Sequence, residues 1–225
     1  MAAGVLCAAV GVVLVAVVAA DPTQCCWATQ WEGIIQEKLG VYNSINNFAS
    51  IADISSIIHV DYRRKMIVNE MSITNDSTNT VLTSIEDFNK RITYTIVGMY
   101  CVISNLTVSM GGNCVPENAG YLSTINIARV PSDIWFLNNN GSTARLTVSQ
   151  SGCVPIQEVG VTLGDVSYLN IINVQNVTAG IADPTIFNVP QICNQTAIQH
   201  RTHPFAKILS MPSLIKHKLV NKINT

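Results

Sequence analysis

From residue 55 onward the chain keeps returning to a short run of β-branched and aromatic residues followed by a turn-forming cluster. Turn signals at intervals of about ten residues are the mark of antiparallel sheets, because each strand must be reversed before the next can pair with it. In residues 57–68, Ile58, Val60 and Tyr62 alternate with His59 and Asp61, the period of a half-buried strand. Residues 92–108 are rich in strand formers and are followed by Gly111-Gly112. Asn140-Gly141, a strong hairpin signal, separates the run 134–137 from 144–149. Residues 159–174 offer a further strand pair around Leu163-Gly164-Asp165. Helical candidates are few: a short turn within 43–57, and the tail, where Ile215, Leu219 and Ile223 recur at helical spacing. The expected class is all-β with minor α.

The first twenty residues contain no charged side chain and end in Val18-Ala19-Ala20. They read as a secretory signal peptide cleaved after Ala20, although a basic n-region is missing. An uncleaved anchor is the alternative, for which the apolar stretch is short. The expected organisation is a signal peptide at 1–20, one β domain at 21–199 and a basic tail at 200–225. The tail carries Arg201, Lys207, Lys216, Lys218 and Lys222 and no acid. It reads as a solvated extension, with a membrane-surface helix as the alternative.

Beyond the signal segment the cysteines are 25, 26, 101, 114, 153 and 193. An even set in an exported chain points to three disulfides. Zinc is a poor fit, because no C-x-x-C pair occurs and adjacent Cys25-Cys26 cannot easily supply two tetrahedral ligands. Sequons at Asn75, Asn105, Asn140, Asn176 and Asn194 suit a secreted glycoprotein, with the lysosome as the alternative destination. Near-balanced charge, with no Lys/Arg stripe bearing interleaved aromatics, gives no reason to expect nucleic acid.

Catalytic constellations are not found. The histidines are 59, 200, 203 and 217, and no nucleophile elbow, H-E-x-x-H or phosphate-binding glycine loop occurs. Among the acids, Glu86-Asp87 is an adjacent pair, while Asp133, Glu158 and Asp183 are isolated in sequence. They read as surface or turn-capping groups rather than a glycosidase pair, and the chain is expected to be non-enzymatic.

Four blocks in order carry a family resemblance. Cys25-Cys26 with Gln30-Trp31-Glu32-Gly33 comes first, then Asp61 through Ile67 as DYRRKMI. Gly152-Cys153-Val154-Pro155-Ile156-Gln157-Glu158 follows, and the segment from Gly180 to Cys193 reads G-I-x-D-P-x-x-F-x-x-P-x-x-C. Together they resemble ependymin and the ependymin-related proteins over roughly residues 25–195.

The resemblance implies two curved antiparallel sheets stacked as a half-open barrel, with an apolar pocket between them. It also implies pairing of Cys153 with Cys25 or Cys26 and of Cys114 with Cys193. A third bridge from Cys101 to the remaining member of the 25/26 pair is then expected. Expected pocket residues are Tyr94, Ile96, Val102, Val161, Leu163 and Ile171, with Trp135 and Phe136 as a pocket lip or as sheet packing. The function implied is a secreted carrier of a hydrophobic small molecule or lipid, fatty acyl or glycolipid, forming homodimers. The alternative is an extracellular-matrix or adhesion glycoprotein associated with calcium, although no D-x-D-x-D-G loop is present.

Overall fold

The computed structural model describes residues 21–75, 78–139 and 141–195. The expected signal segment and basic tail lie outside the described residues, as do His200, His203, His217 and Asn140.

The all-β antiparallel architecture is present. The strands are β1 Gln30–Asn43, β2 Phe48–Asp61, β3 Met66–Asn75, β4 Thr78–Asp87, β5 Ile92–Val97 and β6 Tyr100–Asn105. They continue as β7 Gly120–Ile127, β8 Val130–Asn139, β9 Ser142–Ser149, β10 Pro155–Thr162 and β11 Val166–Ala179. All eleven form one sheet in the order β6-β5-β4-β3-β2-β1-β11-β10-β9-β8-β7. What reads as two sheets is two wings of this one unclosed sheet. They are joined where β1 pairs along its length with β2 on one side and β11 on the other. Strands rotated by roughly 20–25° at each step cannot stay flat over this many neighbours.

Residues directly opposite across an antiparallel pair share a face, so the registers assign every strand side chain to one of two faces. The inner face carries Trp31, Ile58, Val60, Trp135, Leu146 and Val148, all buried. Residues 25–28 and 110–119 pack on it through Trp27, Ala28, Met110, Val115 and Ala119. The outer face of β3–β5 carries the row Val68, Ile85, Tyr94. A strap of non-strand chain, residues 181–193, lies over that row with Phe187 buried against it.

The strap is the D-P-x-x-F block. Asp183 Oδ1 accepts from Thr185 N at 2.9 Å and Thr185 Oγ1 at 2.7 Å, so it caps the 3-10 turn Pro184–Phe187. These hydrogen bonds to the ionised form hold its carboxyl below the usual range. A short helix, α1 Gln191–Gln195, closes the strap on β6.

All six cysteines are paired, as Cys25–Cys153, Cys26–Cys114 and Cys101–Cys193. Cys153 takes Cys25, one of the two partners expected. The other two expected bridges are corrected: Cys114 bonds Cys26 rather than Cys193, and Cys193 bonds Cys101. The local geometry gives the reason. Residues 25–27 run antiparallel to 113–115, with Trp27 N donating to Asn113 O and Val115 N to Cys25 O, each at 2.8 Å. This places Cys26 opposite Cys114. Side chains alternate along extended backbone, so Cys25 points away, to Cys153. Cys101 shares the outer face with Ile96, where the strap brings Cys193.

Several element boundaries also differ from the sequence reading. Residues 43–57, read as a short helical turn, form a turn followed by β2. The run 57–68 is broken by a turn at 62–65, and 92–108 is a hairpin around Gly98. The strand pairs flanking Asn140-Gly141 and Leu163-Gly164-Asp165 form as read.

Candidate functional site

The expected pocket residues do not come together. Tyr94 and Ile96 are on the outer face beneath the strap, and Ile171 and Val161 are on the outer face of β10 and β11. Leu163, in the β10–β11 turn, is 72% exposed, and Val102 is exposed on edge strand β6. Trp135, expected at a pocket lip or in sheet packing, is a buried inner-face residue packed in the sheet core, edge-on to Tyr121 with ring centroids 5.7 Å apart. Phe136 is on the opposite face, paired with Gly120. Alternation shows which residues of one strand share a face, but only the hairpin registers match faces between strands.

What the inner face does hold is a set of buried polar groups. Glu37, Ile172 and Glu158 stand in one cross-strand row over β1, β11 and β10. Asn170 occupies the next inner-face position on β11. On β2 and β3 the buried polar residues are Ser56 and Asn69. Among the described residues, Ser56 Oγ, both amide atoms of Asn69, Glu158 Oε1 and Asn170 Nδ2 are shut off from solvent without a hydrogen-bond partner. Burial, with the Glu37 charge adding to it, pushes the Glu158 carboxyl up to about 7. Glu158 is half-buried with Oε1 shut off from solvent, so it is not the surface acid that the sequence suggests. Asp87 and Asp183 do cap turns, and Asp133 accepts from Thr124 and Gln150.

A half-enclosed cavity of about 470 Å³ lies at the end of the sheet where β2 turns into β3 and β4 into β5. Its lining includes Tyr62 and Lys65 from the first turn, Phe88 and Arg91 from the second, and Val108 and Met110 from the chain leaving β6. Tyr62 and Met110 also pack on the inner-face cluster of Trp31, Ile58 and Val60, so the cavity adjoins that core. Tyr62 Oη accepts from Trp27 Nε1 at 3.1 Å. Burial raises the phenol's pKa, while that hydrogen bond pulls the other way.

The two turns are built alike. Asp61-Tyr62-Arg63-Arg64-Lys65-Met66 and Asp87-Phe88-Asn89-Lys90-Arg91-Ile92 share the pattern acid, aromatic, any, basic, basic, apolar. In each, the acid's Oδ1 accepts the backbone N–H three residues on, at 2.9 Å from Arg64 and 3.0 Å from Lys90. Each acid also forms an ion pair with that same residue's side chain. The last turn residue takes a left-handed conformation, φ 53° at Lys65 and 57° at Arg91, where glycine is usual. Phe88 N donates to Lys65 O and Asn89 Nδ2 to Arg64 O, which joins the turns side by side.

His59, the remaining described histidine, is on the outer face 3.1 Å from Glu32. Among the described residues no three His, Cys, Asp or Glu gather as metal ligands. Asn105, Asn176 and Asn194 are exposed.

Several solved structures are similar to this chain. One is an uncharacterized conserved protein of Thermus thermophilus, 11% identical with a TM-score of 0.48, covering 73% of this chain and 87% of that one. Another is a LolA superfamily protein of Nitrosomonas europaea, 8% identical with a TM-score of 0.34, covering 72% and 91%. A third is a putative outer membrane lipoprotein-sorting protein domain of Vibrio parahaemolyticus, 7% identical with a TM-score of 0.29, covering 70% and 89%. Among curated protein sequences none matches significantly. The ependymin family model matches residues 76–193, just over half of the chain and two of the four blocks that first suggested it, so this protein is a member of the ependymin family.

Proposed function

We propose that this protein is a secreted, glycosylated, non-enzymatic carrier that binds one hydrophobic molecule against the inner side of its sheet. The observation that carries the reading is the cavity of about 470 Å³ that adjoins the inner-face core through Tyr62 and Met110. Its size falls within the range of roughly 300–1,000 Å³ common for small-molecule sites. Phe88, Val108 and Met110 supply apolar wall among polar Lys65, Arg91, Thr107 and Ser109, and each methylene buried against it contributes about 0.8 kcal/mol before ordering costs. Three disulfides suit an oxidising compartment.

Titration of the purified chain with a fluorescent fatty-acyl probe tests this directly. Saturable binding at one probe per chain, displaced by oleate, is expected, together with copurifying lipid detected by mass spectrometry. Absence of both would sink the carrier reading.

A further inference from the structure

We infer that the paired turns at 62–65 and 88–91 form an oxyanion site, in which Lys65 and Arg91 read a phosphate, sulfate or carboxylate group at the cavity mouth. The inference rests on the carrier reading only for the apolar part of the ligand. Its basis is the division of labour within each turn. Of the two consecutive basic residues, the first is committed to the turn's own acid: Arg64 Nε lies 3.4 Å from Asp61 Oδ2, and Lys90 Nζ 3.1 Å from Asp87 Oδ2. Arg64 is further held by its guanidinium over the Phe187 ring and by Pro184 O.

The second basic residue, Lys65 or Arg91, has no ion pair among the described residues, and both line the same cavity. No acid among the described residues lines it. Two uncompensated cations beside a concavity attract an anion and disfavour a cation of the same shape.

The backbone reinforces this placement. Left-handed residues are strained unless glycine, yet here both positions are basic. Hydrogen bonds fix each carbonyl, Lys65 O to Phe88 N and Arg91 O to Leu106 N. The two Cα positions are thus anchored to each other and to the chain that forms the third wall. Tyr62 and Phe88 give each turn an aromatic beside its cation, which suits a ligand with an apolar body and an anionic end.

The test compares decyl phosphate, decanol and decyltrimethylammonium below their micelle concentrations, with inorganic phosphate as a separate titrant. Wild type is set against Lys65→Gln, Arg91→Gln and the double variant, each checked for unchanged melting. Decyl phosphate is expected to bind wild type at least about tenfold more tightly than decanol, a difference of roughly 1.4 kcal/mol. The preference should fall to within about twofold in the double variant, with decanol affinity unchanged. Inorganic phosphate displacing decyl phosphate supports the site and identifies the free oxyanion as sufficient. A phosphate preference that survives the double substitution, or no preference at all, overturns the proposal. If no decyl compound binds but phosphate does, and does so through Lys65 and Arg91, the carrier reading fails while the oxyanion site stands.

Discussion

The two wings of the sheet are pinned from opposite sides. On β3–β6 the covering chain is the 181–193 strap, lying on the outer face and tied by Cys101–Cys193. On β7–β10 it is residues 25–27 and 113–119, lying on the inner face and tied by Cys25–Cys153 and Cys26–Cys114. A strand that buries one side against covering chain leaves the other to face inward or outward. The contrast accompanies a difference in the inner face, which is mainly apolar under β8 and β9 and carries more buried polar residues across Ser56, Asn69, Ser84 and Glu86. In the β3–β5 wing the packed core beneath Phe187 is on the outside, and the inner side mixes buried polar Asn69, Ser84, Glu86 and Thr93 with apolar Ile67, Met71 and Leu82.

Cutting the strap should loosen one wing and spare the other. Cys101→Ser with Cys193→Ser opens a link of sequence separation 92, worth about 4–5 kcal/mol on the chain-entropy account. Hydrogen exchange should accelerate in β5 and β6 first, with β8 and β9 still protected. Uniform loss of protection would show that the wings do not behave separately.

Next in size are two aromatic truncations, one per wing. Phe187→Ala and Trp135→Ala each empty a buried site and are expected to cost about 3–4 kcal/mol in chemical denaturation. The first should loosen the strap side and the second the side tied by Cys25–Cys153. Local exchange rates distinguish them, and an identical exchange pattern for both would refute the division.

The smallest expected effect concerns β10, beside the strand pair that joins the wings. Because the folded state raises the Glu158 pKa from 4.5 to about 7, it binds the proton more tightly than the unfolded chain does. This contribution to stability is fully present below about pH 4.5 and is lost as pH rises through 7. Between pH 5 and 8 the loss is on the order of 2–3 kcal/mol. Glu158→Gln removes the titration, so its melting temperature should fall less than wild type's over that interval. Parallel pH profiles for the two would contradict the assignment.

The strands of hairpins β5–β6, β8–β9 and β10–β11 could be read along the chain, whereas β1, β4 and β7 were not read, and the misreadings have specific causes. Asn140-Gly141 and Gly164-Asp165 announce their turns because these residues tolerate turn geometry. The turn at 62–65 has neither glycine nor asparagine, and Lys65 adopts a left-handed conformation regardless. The run through DYRRKMI therefore reads as continuous strand. The repeated pattern at 87–92 is present as a signal, acid and aromatic followed by two basic residues, but without the β3–β4 pairing nothing joins the two copies. The six residues expected to line one pocket did not converge for a related reason, since alternation shows faces within a strand but only register matches them between strands, while Trp135 packs in the inner-face core.

The amino-acid sequence alone determined an antiparallel all-β chain with paired cysteines and membership of the ependymin family, because strand periodicity, cysteine count and short motifs are local properties. Tertiary structure alone decided that Cys26 meets Cys114, that half-buried Glu158 stands in one cross-strand row with Glu37, and that Lys65 and Arg91 share a cavity. Each of these joins residues far apart in sequence, and their approach is fixed by strand register and by the path of the covering segments, which no single stretch of chain encodes.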